Sequence, residues 1–155
     1  MNRFLLTEHD IQAGFVQEVG YTYRDREDFD PALFYAVLNG AWIAGGGKAK
    51  NALIGKYMAE GWKSGIADMT YDQPRGRYNK LVFEFKREDK RGKKDGGLSP
   101  EQIAYLQAIK PYAFVRVCYT TDEALDFFRQ YMSLPLCFGI REEWAVGEIL
   151  AGVDV

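Results

Sequence analysis

The chain has one histidine, His9, and two cysteines, Cys118 and Cys137, among its 155 residues. Two thiols with no further partners exclude a four-thiolate zinc site and a disulfide framework. We expect both as buried, reduced thiols. A Ser-His-Asp triad would have to use His9, and no Gly-x-Ser-x-Gly is present. Gly61-Trp62-Lys63-Ser64-Gly65 has its serine one place off. Gly45-Gly46-Gly47-Lys48 is not a nucleotide-binding Walker loop. Trp42 stands where the first glycine belongs and Ala49 where the Ser or Thr belongs. No apolar run approaches the ~20 residues of a membrane helix. Glu8 and Asp10 come too early for the apolar core of a signal peptide. The expectation is a cytoplasmic protein with no membrane partner. There is no internal repeat and no Pro- or Ser-rich linker, so residues 1–155 read as a single domain.

What is present is unevenly distributed. Residues 44–96 carry a net charge of +6 and the remainder −8, although the whole chain is only −2. A basic middle between acidic flanks fits either a solvated lysine-rich surface or a face that meets phosphates.

Hydrophobic spacing divides the chain into eight elements. Thr7 with Asp10 three positions on resembles a capping box. Ile11, Phe15, Val16 and Val19 then follow at helical spacing, and Gly20 reads as the stop. Gly14 inside this helix suggests a close approach. Tyr21, Tyr23 and Phe29 fall in a polar loop, as packing residues or as platforms for bases. Leu33–Leu38 reads as a buried strand, with a helix as the alternative, before an Asn39-Gly40 turn and the loop at Gly45-Gly46-Gly47. Ala52–Glu60 is a helix and Ile66–Tyr71 a strand. Turn residues at 72–76 lead to a clear strand at Lys80–Arg87, where Leu81, Phe83 and Phe85 alternate with Val82, Glu84 and Lys86. A charged loop spans Glu88–Leu98. Ser99 caps a helix with Pro100 in its first turn. Tyr112–Tyr119 is a strand, and Thr121 caps a last helix, Asp122–Met132, ended by Pro135. The tail has helical spacing around Glu142–Leu150, and its apolar character fits packing against a second subunit. Trp42, Trp62 and Trp144 read as packing anchors. Strand 80–87, helix 100–110 and strand 113–118 form a parallel, right-handed βαβ unit. The class is α/β or α+β, with a mixed sheet.

The chemistry centres on the hairpin. If the strands around the 72–79 turn pair, Asp68, read as mid-strand, converges with Glu84. Two adjacent carboxylates repel unless they share a cation. Mg²⁺ fits, because it takes oxygen ligands and keeps several waters. Lys86, on the same strand face as Glu84, is placed to stabilise developing negative charge. The substrate that suits such a site is a phosphodiester. The plainer reading of each piece is a turn-proximal Asp68 and an exposed Glu84/Lys86 pair.

Three stretches together resemble the VRR-NUC family of the restriction-endonuclease-like superfamily. These are Gly61-Trp62-Lys63-Ser64-Gly65-Ile66-Ala67-Asp68, Leu81-Val82-Phe83-Glu84-Phe85-Lys86, and Leu98-Ser99-Pro100-Glu101-Gln102. They look like the family's G-x-x-x-G-x-x-D segment, E-x-K strand and Ser-x-x-Gln helix start. Glu8-His9-Asp10-Ile11-Gln12 and Asn39-Gly40 resemble its further motifs. The likeness covers a core of about residues 8–132 and leaves 133–155 as a C-terminal extension. Ala67 departs from the proline often found there, and the 88–97 loop is an insertion.

The resemblance implies a restriction-endonuclease-like mixed β-sheet core flanked by helices. It implies a Mg²⁺- or Mn²⁺-dependent DNA endonuclease. Asp68, Glu84, the backbone carbonyl of Phe85 and Glu8 would be metal ligands. Lys86 would be the catalytic lysine, with Gln102 supporting the site. Lys63 would contact phosphate, and the basic Lys48, Lys50, Lys90, Arg91, Lys93 and Lys94 would contact nucleic acid. Stand-alone members often occur in phages and act as homodimers on branched DNA, so four-way junctions or flaps are the expected substrates. The competing expectations are a non-catalytic nucleic-acid-binding module on the same fold and an assembly protein.

Overall fold

The computed structural model describes residues 5–37 and 47–137. The elements run α1 (Glu8–Tyr23), β1 (Phe34–Ala36), α2 (Gly47–Ala59), β2 (Met69–Tyr71), β3 (Lys80–Phe85), α3 (Pro100–Ile109), β4 (Ala113–Cys118) and α4 (Thr121–Met132). Short 3-10 turns precede β1 and follow β3. The four strands form one sheet in the order β1-β2-β3-β4. β1 pairs antiparallel with β2 and β2 with β3, whereas β3 and β4 are parallel across the α3 crossover. The βαβ unit and the hairpin are as the sequence implies, and the class is mixed α/β with helices flanking the sheet.

Strand alternation sends Leu81, Phe83 and Phe85 to one face, where Met69, Tyr71, Phe114 and Cys118 join them. α1 and α4 cover this face. Phe15 lies at its centre, with the rings of Phe34, Phe83, Phe85 and Phe128 at 5.4–5.8 Å, aromatic spacing that adds stability beyond area burial. α1 and α4 meet closely at Gly14. A Cβ there would stand 3.0 Å from Thr121 Oγ1, which donates to the Ile11 carbonyl. The opposite face is thinner: Val82 packs with Ala67, Leu106 and Ala113 beneath α3.

Several boundaries differ from the sequence reading. α1 does not stop at Gly20. It continues to Tyr23, because Val19 and Tyr23, one turn apart, both enter the core, and the Tyr23 ring packs edge-to-face on Phe128 and tilted against Phe29. Core packing here outweighs the ~1 kcal/mol a helical glycine costs. Tyr23 and Phe29 are thus packing residues, and Tyr21 and Val16 are exposed. Leu33 belongs to a 3-10 turn rather than to β1. α2 starts at Gly47, five residues before Ala52. The cap of α4 is Thr120, whose side chain accepts from Glu123 N–H, because Thr121 is engaged with α1. Cys118 is buried but Cys137 is exposed, and both are free thiols. The Asn39-Gly40 turn, Trp42, Gly45-Gly46, Trp144 and the helical spacing at 142–150 lie outside the described residues. No described helix is long and apolar enough to cross a membrane.

Candidate active site

The pairing Met69↔Phe83 is the last rung of the β2–β3 ladder. One step further, the antiparallel register sets Asp68 opposite Glu84. Asp68 is therefore just ahead of β2 rather than mid-strand, yet its carbonyl still accepts from Val37 N–H at 2.8 Å. Its side chain takes over where the ladder stops: Asp68 Oδ2 accepts from Phe85 N–H at 2.8 Å. Lys86 N–H donates towards β4, to the Cys118 carbonyl. Alternation then turns the Phe85 N–H and carbonyl towards the β2 side, beside Asp68.

Glu84 is fully buried, and Lys86 is only 7% exposed. Lys86 Nζ donates to Glu84 Oε1 at 2.6 Å. Gln102 Nε2 donates to the same oxygen. The orientation of Gln102 follows from its second role. It is the third residue of α3 and closes the capping box with Ser99, whose N–H donates to its Oε1 at 3.0 Å. A backbone N–H can only donate, so the amide oxygen faces Ser99 and the NH₂ faces Glu84. The cap that starts the helix thus also aims a donor into the site. Gly65 lets the preceding loop reach that helix start. Its φ is +77°, and a Cβ there would lie 2.6 Å from Glu101 Cβ and 2.9 Å from Gln102 N.

Glu84 Oε2 is buried with no hydrogen-bond partner. Burial first and the Asp68 charge second push the Glu84 carboxyl up to about 7, against the Lys86 hydrogen bond and charge, with Glu8 adding to the rise. For Lys86, burial opposes the charged form. The Glu84 hydrogen bond and the Glu84, Glu8 and Asp68 charges outweigh it, so the ammonium is held above its ordinary range. An orphaned carboxylate oxygen, a second carboxylate opposite it and a backbone carbonyl turned to the same edge fit a hard divalent cation, which would complete its shell with water.

The structure brings Asp68, Glu84, Phe85, Lys86 and Gln102 together. Glu8, the first residue of α1, acts on Glu84 and Lys86 through its charge. Among the described residues no group of three His, Cys, Asp or Glu side chains is close enough to hold a metal ion. Lys63, Lys93 and Lys94 are exposed and Lys90 is half-buried. Arg91 is tied to Glu88 and Glu123. Lys48 and Lys50 lie in the first turn of α2, and their side chains are outside the described residues.

No family model matches the chain, and no curated protein matches it. A solved structure titled "VRR_NUC domain protein" superposes with a TM-score of 0.61. The overlap covers 88% of this chain and 97% of that one, at 19% sequence identity. The fold is that of a VRR-NUC domain. The VRR-NUC likeness agrees with the mixed sheet and flanking helices implied by the three sequence stretches. Sequence reasoning missed Arg91's carboxylate partner, Glu123, which lies 32 positions away and left no local signal.

Proposed function

We propose that this chain is a divalent-metal-dependent nuclease that hydrolyses DNA phosphodiester bonds. The observation that carries the reading is the buried, unpartnered Oε2 of Glu84 opposite Asp68. A fold with no use for a cation has no reason to set a fully buried carboxylate opposite a half-buried one at the end of a ladder, since their repulsion and the desolvation of Glu84 are unfavourable. The VRR-NUC fold supports the same reading.

Glu84, Asp68 and the Phe85 carbonyl would hold the ion, Mg²⁺ or Mn²⁺. When bound, it supplies a water acidic enough to attack at neutral pH and charge to offset that of the phosphate. The chain's own residues do the rest. Lys86 keeps its positive charge beside Glu84 and faces the negative charge that develops on the phosphoryl oxygens. Gln102 fixes the Glu84 rotamer by donating to Oε1, which reserves Oε2 for the cation. Asp68 is steadied by Phe85 N–H. Burial on the α3 side excludes bulk water from Glu84, so these charges act in a low dielectric.

The finer reading is a homodimer acting on branched DNA, at four-way junctions or flaps, in the cytoplasm. It is supported by the sequence resemblance, and by the need of a single small site for a second copy to cut two strands. Metal-dependent cleavage of labelled DNA by the wild type, lost in Asp68→Asn, tests the reading. Binding without cleavage would favour the non-catalytic module.

A further inference from the structure

Lys86 and Gln102 donate to one oxygen of Glu84, so the segment between them forms a lobe with both ends tied to the site. From Arg87 to Asp95 this lobe carries five basic and three acidic residues. Each acid is engaged. Asp89 accepts from Arg87 Nε and Nη2 at 2.9 and 3.0 Å. Glu88 accepts from Arg91 Nε and Nη2 at 2.8 and 2.9 Å. Asp95 Oδ1 accepts from Gly97 N–H at 2.8 Å. Lys90, Lys93 and Lys94 have no ion-pair partner among the described residues.

Arg91 also reaches out of the lobe. Its Nη1 and Nη2 donate to Glu123 at 3.1 and 3.0 Å, and its guanidinium lies 4.5 Å from the Tyr119 ring centroid. Glu123, in the first turn of α4, accepts from Tyr119 N–H, and Tyr119 OH donates back to the Gly96 carbonyl at 3.0 Å. Arg91 with Glu88 and Glu123 sums to −1, a charge that repels phosphate. A guanidinium donating through all three nitrogens to two carboxylates is a latch.

We propose that residues 87–98 form a pre-ordered phosphate-binding lobe, in which Lys90, Lys93 and Lys94 take the DNA backbone and Arg91 is a positioning residue that fixes their place beside Glu84. This rests on the nuclease reading and adds to it the side on which the strand lies. It also reassigns Arg91 from a nucleic-acid contact to a support.

The test is binding of a labelled DNA duplex in EDTA, titrated with salt, so that no cleavage intervenes. Lys90→Gln/Lys93→Gln/Lys94→Gln is expected to lower the slope of log affinity against log salt by about 3, because each phosphate contact contributes about 0.9. Arg91→Gln is expected to weaken binding several-fold in the wild-type background. In the Lys90→Gln/Lys93→Gln/Lys94→Gln background it should add almost nothing, a non-additivity that general destabilisation would not produce. Tyr119→Phe, which keeps the ring beneath Arg91 and loses the Gly96 bond, should weaken binding in the same non-additive way and serves if Arg91→Gln fails to fold. A further drop of about 1 in the slope when Arg91 is removed from the triple variant would make it a phosphate contact and overturn the latch. An unchanged slope in Lys90→Gln/Lys93→Gln/Lys94→Gln, with wild-type binding intact, would overturn the lobe but not the nuclease. Wild type that binds no DNA at any salt would overturn both.

Discussion

Asp68 faces Glu84 across the first open rung of the β2–β3 ladder, and its Oδ2 holds the N–H of Phe85, the residue next to Glu84. The two acids are thus coupled by register as well as by charge. Asp68→Asn separates these roles, since an amide oxygen can still accept from Phe85 while the charge is gone. Cleavage should fall by roughly a hundredfold or more, as for loss of a group that acts directly on the reacting centre. The metal-free melting temperature should not fall. Parallel cleavage and melting experiments decide it, and retained activity would remove Asp68 from the machinery.

Glu84 makes metal-free stability depend on pH. Its carboxyl lies near 4.5 ordinarily and at about 7 in the fold. A raised carboxyl binds more protons folded than unfolded, so its contribution is present below 4.5 and is lost as pH rises through 7. Melting in EDTA should show stability declining between about pH 5 and 8, by on the order of 3 kcal/mol at most from this group. Mn²⁺ should restore it at pH 8. Glu84→Gln with the same decline would assign the slope to another group.

Gln102 has two partners that substitution can divide. Gln102→Glu retains the acceptor for Ser99 N–H but brings a carboxylate to Glu84. Gln102→Ala loses both side-chain partners and leaves only half of the capping box, Ser99 Oγ accepting from the residue 102 N–H. Both should lower kcat by roughly tenfold or more, since both remove the donor that holds the Glu84 rotamer. Only the alanine should shorten α3, a loss readable by amide hydrogen exchange at residues 101–103. Full activity in Gln102→Glu would leave Gln102 a cap and nothing more.

Gly65 and Gly61 both have positive φ, but only Gly65 is crowded. Gly61→Ala meets open space and should cost about 1 kcal/mol, the strain of its backbone alone. Gly65→Ala must also displace Glu101 and the start of α3, so its cost should exceed that by about 1–3 kcal/mol. Urea unfolding of the two variants compares them directly. Equal costs would show that the α3 start yields freely.

The alternation of Glu84 and Lys86 within an apolar strand was legible because a strand has a period of two. The Ser99 start of α3 was legible from local cap chemistry. The extension of α1 past Gly20 was not, because it depends on Tyr23 meeting Phe128, more than a hundred residues away. Arg91 looked like a free cation for the same reason: half of its partners lie on α4. Glu8 was placed at the centre by likeness of pattern, and the fold sets it at the start of α1, where its charge acts on Glu84 and Lys86. Local periodicity and caps were readable, and contacts that close long loops were not.

The central claim is that Glu84 holds a cation which cuts a phosphodiester. The direct measurement offers linear duplex, single-stranded, flap and four-way-junction DNA to wild type and Glu84→Gln in Mn²⁺. The account predicts cleavage by wild type, with a branched substrate preferred, and binding without cleavage by Glu84→Gln. Wild type that binds these DNAs and cuts none of them, or Glu84→Gln that cuts as well as wild type, would contradict it.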